Sequence, residues 1–239
     1  MIFKIYAGTD AGCKRTRNED GILINNMGCY NSDFCFFNTC IKPPILAFVA
    51  DGVGGSENGC IATQICITEA MKADIPSDDT ELIGMIDAIN KNVCEAKQIV
   101  DTACTIAGLL ITEDTMYCFN IGDSKVFSFS HGFLNQLSID DTFSGLSGEI
   151  TADKEPLIQY IGKQTIMPHI DETNSMDGFL ICTDGLTDML SLDEIEAIVE
   201  SSSDEQELLK ELLRKAKING GEDNVSAIII KPLKEINNG

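Results

Sequence analysis

Apolar positions along the chain fall into short runs with a period near two and longer stretches with a period near 3.6. Residues 2–8, 21–25 and 45–50 are β-branched or aromatic and bounded by Gly, Asn, Pro or Asp, which predicts strands. A helical block follows, with Ser56 as the expected N-cap and Ile61, Ile65 and Met71 as its expected buried face. Over 79–101, Leu82, Ile86, Ile89, Val93, Ala96 and Val100 recur at spacings of four and three. That is one amphipathic stripe, and its purpose is core.

Four strand-like runs then come in quick succession, 104–112, 115–121, 125–130 and 133–138. Their separators, Glu113-Asp114, Gly122-Asp123-Ser124 and His131-Gly132, are turn chemistry, so the expectation is one antiparallel meander. Residues 139–163 are polar and irregular, long enough to suggest a functional flap. Strands return near 164–172 and 178–183. Ser191-x-x-Glu194 and Ser203-x-x-Gln206 read as capping boxes that open two helices, and residues 225–231 close the pattern as a strand. Strands joined by hairpins make antiparallel sheet, and amphipathic helices must bury their stripes on its faces. The fold class is therefore α+β, with two sheets and a helical layer outside each. No βαβ repetition appears, which disfavours a Rossmann-type fold.

Charge narrows the partners. Lys plus Arg is 17 against 38 Asp plus Glu, a formal net charge of −21. Such a chain lacks the basic footprint that nucleic acid or an anionic membrane surface demands. No stretch reaches the ~18 apolar residues of a spanning helix. The first residues, MIFKIYAGTD, do not resemble a secretory signal, and the expectation is a cytoplasmic protein. The ten cysteines form no C-x-x-C pair and read as buried reduced thiols. A zinc site from Cys29, Cys35 and Cys40 is disfavoured by wide spacing and the lack of a nearby His.

Aspartates recur just beyond apolar strands and beside Gly or Asn. ILAFVA runs into Asp51-Gly52, YCFNI into Gly122-Asp123-Ser124 and GFLICT into Asp184-Gly185, while Asp223-Asn224 precedes the last strand. Arg15 and then Glu19-Asp20 precede the strand at 21–25. Each pair alone is an ordinary turn. Strand ends sit at the rim of a sheet, however, so several of these carboxylates could converge there. Two carboxylates ~4 Å apart repel by roughly 4 kcal/mol at an effective dielectric of 20, so such a cluster needs protons or cations. Hard oxygen donors suit Mg²⁺, Mn²⁺ or Ca²⁺. No EF-hand calcium loop and no phosphate-binding Gly-Lys-Ser/Thr is present.

The stretches TDAGCKRTRNED (9–20), FVADGVGG (48–55), FNIGDSKVFSF (119–129), LNQLSIDDT (134–142), PLIQYIG (156–162), DGFLICTDGLTDMLS (177–191) and GGEDNVSAIII (220–230) occur in an order that resembles the metal-dependent Ser/Thr protein phosphatases of type 2C, most of all their compact bacterial members. The resemblance implies a four-layer αββα sandwich, a single phosphatase domain over 1–239, and a flap within it at about 139–163. It implies hydrolysis of phosphoserine and phosphothreonine by direct attack of a hydroxide shared by two Mn²⁺ or Mg²⁺ ions, with a third, weaker ion in some members. Asp51 would bridge the two ions, assisted by the Gly52 carbonyl. Asp184 and Asp223 would complete the first, and Glu19 with Asp20 would hold the second through water. Asp123 with Asp184 would bind the third, Arg15 would grip the phosphate and Asn224 would support Asp223. Phosphoprotein substrates, an opposing Ser/Thr kinase and a monomeric state are the implied associations. A non-catalytic relative and a hydrolase of small phosphoesters are the alternatives. The retained aspartates favour activity over the first.

Three departures stand out. Val53 replaces a histidine that many eukaryotic relatives carry, so no side chain there can protonate the leaving alkoxide. Ala103-Cys104-Thr105 replaces Gly-Thr-Thr, and Asp140-Asp141-Thr142 replaces Asp-His-Ser. His131 and His169 fall in no motif. The flap acids Asp140, Asp141, Glu149, Asp153 and Glu155 predict a preference for basic phosphopeptides.

Overall fold

A computed structural model describes residues 1–53, 58–147, 155–174 and 177–233. The first half holds β1 (Phe3–Asp10), β2 (Gly21–Ile24), β3 (Met27–Tyr30), β4 (Phe34–Ile41), β5 (Ile45–Ala50), β6 (Gly52–Val53), α1 (Gly59–Lys72) and α2 (Asp79–Lys97). Next come β7 (Ala103–Cys104), β8 (Ile106–Ile111), β9 (Met116–Ile121), β10 (Lys125–Ser130), β11 (Phe133–Gln136) and α3 (Phe143–Ser147). The chain continues with β12 (His169–Thr173), β13 (Phe179–Cys182), α4 (Asp184–Thr187), α5 (Leu192–Ser201), α6 (Glu205–Ile218) and β14 (Val225–Pro232).

Two six-stranded antiparallel sheets result, ordered β11-β10-β13-β14-β1-β4 and β12-β9-β8-β5-β2-β3. The two-residue side-chain period sorts each strand between layers. In β14, Ile228 and Ile230 enter the core between the sheets with Phe3, Ile5, Val49 and Leu109. Ile229 faces the opposite way, under α5 and α6, with Phe127, Leu180, Ile195 and Leu212. On the other sheet, Leu23, Phe48 and Phe119 meet Leu82, Ile86 and Val93 of α2. Both faces of the central strands are thus covered, which is why ILAFVA and IAGLLI read as unbroken apolar runs rather than alternating ones. The four-layer αββα sandwich is present.

Several local expectations change. The four runs after α2 are two hairpins in different sheets rather than one meander. β8 and β9 pair in one sheet, β10 and β11 in the other, and Gly122-Asp123-Ser124 carries the chain across. β3 and β4 escaped the pattern reading because they are edge strands with mixed burial. The buried face of α1 is Ala62, Thr63, Cys66, Ile67 and Ala70, one position round from the expected one, because small residues let the helix approach the sheet. Ile65 and Met71 only flank it. Asn58 stands at the N-cap of α1, and Ser56 lies outside the described residues. The stripe of α2 ends at Lys97, leaving Val100 beyond the helix. The capping box at Ser191 forms with Glu194. The second shifts by one residue: Asp204 caps Glu207 N, while Glu207 reaches back to Ser203. Asp184 opens a one-turn helix not expected there. Of the cysteines, Cys66, Cys104, Cys118 and Cys182 are buried, Cys13 and Cys40 exposed and the rest intermediate, so the reading of uniformly buried thiols is too broad.

Candidate active site

The site grows from strand ends. β5 delivers Asp51 at its C-terminal limit, where the backbone is locked to the opposite hairpin. Thr105 N donates to Asp51 O at 2.8 Å, and Asp51 N donates to Thr105 Oγ1 at 3.3 Å. The Thr105 hydroxyl also bonds Ser124 Oγ at 2.7 Å, tying Asp51 to the crossing turn that carries Asp123. Asp184 follows β13, and Asp223 precedes β14, its neighbour in the sheet. Gly185 makes this approach possible: a Cβ there would fall 1.9 Å from Asn224 O. Gly52 is under the same pressure, since its Cβ would sit 2.7 Å from Gly59 C and 2.9 Å from Glu19 Cβ.

One cavity of about 480 Å³ collects Arg15, Glu19, Asp51, Gly52, Asp123, Asp184 and Asp223. Val53 lines it as well, confirming that no histidine stands at that wall. Asp20 does not line it. It is buried behind the rim, its Oδ2 accepting hydrogen bonds from Ser226 Oγ at 2.6 Å and Thr183 Oγ1 at 3.0 Å. Asn224 braces three segments. Its Oδ1 accepts from Glu19 N at 2.8 Å, and its Nδ2 donates to Ala11 O and Arg17 O. It therefore orients Glu19 and the Arg15 segment as well as following Asp223. Arg15 is half-exposed and donates from Nη2 to Asp223 Oδ2 at 2.6 Å. Lys14 and Arg17 are exposed.

The electrostatics are only partly compensated, by Arg15 at Asp223 and by Lys125 near Asp123. Burial, reinforced by the charges of Asp20, Asp184, Asp123 and Asp223, holds the Asp51 carboxyl well above the usual carboxylate range. Burial, against two hydroxyl donors and with Asp184 and Asp223 nearby, pushes Asp20 up to about 7. Burial and Asp184 push Asp123 up to about 6, with Lys125 acting in opposition. Desolvation raises Glu19. Among the described residues, the buried atoms Asp184 Oδ1 and Asp20 Oδ1 have no hydrogen-bond partner. Native proteins rarely leave buried carboxylate oxygens orphaned, and each such atom calls for an explanation. No three His, Cys, Asp or Glu side chains already close into a coordination shell among the described residues, and Arg15 occupies Asp223. A wall of hard oxygen donors with an orphaned carboxylate oxygen nevertheless fits divalent cations of the Mg²⁺ or Mn²⁺ kind.

Sequence reasoning missed the hydroxyl scaffold of Thr9, Thr105, Ser124, Thr183 and Ser226. Each is a polar residue that the fold buries completely or nearly so, a fact that only the tertiary structure shows. It also missed Lys125, which lines the cavity, donates to Asp123 O and pairs with Asp140. The flap acids are engaged. Asp141 is buried and accepts from His169 Nε2 and Gln159 Nε2 at 2.9 Å each, and Glu155 accepts from Ser144. Glu149 and Asp153 lie outside the described residues. Asp140 is paired with Lys125 and Asp141 is buried, so the predicted preference for basic peptides loses its support at those two, while Glu155 keeps its charge on the cavity wall.

Comparison with known proteins bears on this arrangement. A family profile described as protein phosphatase 2C matches residues 25–217. The chain belongs to the protein phosphatase 2C family. The Listeria innocua serine/threonine phosphatase stp is 27% identical over 249 residues, 93% of each chain. The serine/threonine protein phosphatase PstP of Mycobacterium tuberculosis is 26% identical over 96% of this chain and 45% of its own. The fold matches the Streptococcus agalactiae serine/threonine phosphatase with a TM-score of 0.81 at 22% identity, covering 97% of this chain and 100% of that one. A PstP catalytic domain solved in complex with two manganese ions superposes at 0.78 and 24% identity, covering 98% and 100%. The family match does not include residues 1–24 and 218–239, so the roles of Arg15, Glu19, Asp20 and Asp223 rest on the geometry.

Proposed function

We propose that this bacterial-type 2C phosphatase hydrolyses phosphoserine and phosphothreonine in proteins, using two Mn²⁺ or Mg²⁺ ions. The observation that carries the reading is the orphaned Asp184 carboxylate oxygen on a cavity wall shared with Asp51, Asp123, Asp223 and Glu19. Asp51, the Gly52 carbonyl, Asp184 and Asp223 would hold the first pair of ions together with Glu19, and Asp123 with Asp184 would hold a third. Asp20 acts from behind, keeping Thr183 and Ser226 in place rather than facing the cavity. When bound, such ions supply positive charge to the phosphoryl oxygens and bring the pKa of a held water near 7.

The chain's own residues do the rest. Arg15, half in solvent, exchanges its ion pair with Asp223 for the substrate phosphate, where a planar fork matches two phosphate oxygens. Asn224 fixes the segment from which Arg15 projects. Val53 transfers no proton, so the leaving alkoxide is protonated from solvent in the open cavity. Aryl phosphates, whose leaving groups need no such help, are then turned over faster than alkyl phosphates. We further read 1–239 as one domain acting as a monomer in the cytoplasm and opposing a Ser/Thr kinase. No helix among the described residues is long and apolar enough to cross a membrane. The test is hydrolysis of an aryl phosphate in Mn²⁺, Mg²⁺ or EDTA. Turnover is expected only with metal, and undiminished turnover in EDTA would overturn the reading.

A further inference from the structure

A second concavity of about 490 Å³ lies away from the acidic wall, between α6 and the edge strand β4. Phe34, Phe36, Leu213 and Ile218 make its floor and sides, and Phe34 and Ile218 are 63% and 62% exposed. Lys210, Arg214 and Lys217 border it, against one carboxylate, Asp10. Lys210, Arg214 and Ile218 follow one another at i, i+4 and i+8, so α6 presents them as a single exposed stripe. In a chain of net charge −21, three cations and one carboxylate line this apolar cleft, and a second carboxylate, Glu211, adjoins it through Arg214. Lys217 is paired with Asp10 and Arg214 with Glu211. Lys210 has no carboxylate partner among the described residues, and its ammonium stands 5.6 Å from the Phe36 ring centroid.

The cleft and the catalytic cavity share no lining residue, but one segment reaches both. Cys13 lines the first and Arg15 the second, and two residues span no more than about 7 Å. Backbone bonds from Cys13 N and Lys14 N to Gly221 O hold this shared rim. A polypeptide with its phosphate at Arg15 can therefore lay a flanking segment in the cleft.

We propose that the α6–β4 cleft is a docking groove for phosphoprotein substrates, and that it takes an acidic segment carrying a bulky apolar side chain. The apolar side chain enters between Phe34, Phe36, Leu213 and Ile218, and its Asp or Glu neighbours meet Lys210 and the outer faces of Arg214 and Lys217. Charge complementarity selects this occupant over a basic segment, which would meet the cationic border, and a second copy of this chain is an outcome of the test below. The inference rests on the phosphatase reading only for its purpose, since binding in the groove needs no chemistry.

The test uses a short fluorescein-labelled peptide in which Leu and Phe are interspersed with Glu, without phosphate, and the same peptide with Lys for Glu. Anisotropy titration of the full chain is expected to show binding of the acidic peptide, weakened about tenfold or more by Lys210→Glu and by Ile218→Ser, and preferred over the basic one. With the acidic segment joined to a phosphothreonine, both substitutions are expected to raise KM and leave kcat unchanged. Turnover of an aryl phosphate by both variants should match wild type. An absence of aryl phosphate turnover in the wild type would strike the phosphatase reading and leave the binding result standing. Equal binding of both peptides, or binding untouched by either substitution, would overturn the groove. A dimer in sedimentation that Ile218→Ser dissociates, with no peptide bound, would assign the cleft to self-association and overturn it as well.

Discussion

The same strands have two characters. Through their bodies, β5 and β13 are buried and apolar, and β14 is buried over residues 225–230 with Ser226 as its one polar residue there. At their ends they carry Asp51, Asp184 and Asp223 into one cavity. The bodies gain from burial, at roughly 25 cal/mol per Å² of apolar surface, and need nothing from outside. The ends do the opposite: they gather like charges that are stabilised only by protons, by Arg15 or by bound cations. Stability and chemistry are thus built on shared elements but separated along them, and the reactive end is a cost the apolar body sustains.

That separation can be broken at either end. Asp184→Ala is expected to lower metal-dependent phosphatase turnover about a thousandfold or more, while the metal-free protein unfolds no more easily than wild type, as followed by kinetics and denaturant titration. A large loss of metal-free stability would show that the rim also serves as core. Phe48→Ala should do the reverse, costing about 3–5 kcal/mol of stability because the ring is buried between β5 and α2 and packs edge-on to Phe119 at 6.2 Å.

Metal addition sharpens the contrast through pH. Asp20 and Asp123 are raised in the folded protein to about 7 and about 6. Raised carboxyls contribute stability that is fully present below their unfolded value near 3.8 and lost as pH rises through 6 to 7. The metal-free rim therefore weakens across that window, and cations at a hundred times their Kd should restore about 2–3 kcal/mol. The gain in Tm on adding Mn²⁺ is expected to be larger at pH 8 than at pH 5, and an equal gain would contradict charge relief as its source. The smallest effect belongs far from the cavity. Ser191→Ala removes the capping box of α5 and should cost about 1 kcal/mol without altering turnover.

Much of the architecture was legible because its signals are local. The α2 stripe of Leu82, Ile86, Ile89 and Val93 is fixed by helical geometry, and the Ser191 box by bonds three residues apart. Asp-Gly and Gly-Asp steps after apolar strands marked Asp51, Asp123 and Asp184 as strand-end carboxylates, and the stacking of the two sheets brought those ends to one rim. Edge strands β3 and β4 were not legible, since no position in either is fully buried and their shallow, mixed burial leaves no clean period. The α1 face was misjudged because Ala62, Thr63 and Cys66 owe their burial to a close helix-to-sheet approach rather than to their hydrophobicity.

By itself, the order of residues determined the layer count, the antiparallel sheets and the carboxylates destined for one edge, because periodicity and turn chemistry act over a few residues. Only tertiary structure decided that Gly122-Asp123-Ser124 passes between sheets, that Asp20 is held by Thr183 and Ser226 behind the cavity, that Arg15 meets Asp223, and that the cations of α6 border an apolar cleft beside β4. Those pairings join residues up to 208 positions apart. No local preference encodes a contact at that range; it follows from which faces must be buried once both sheets are stacked.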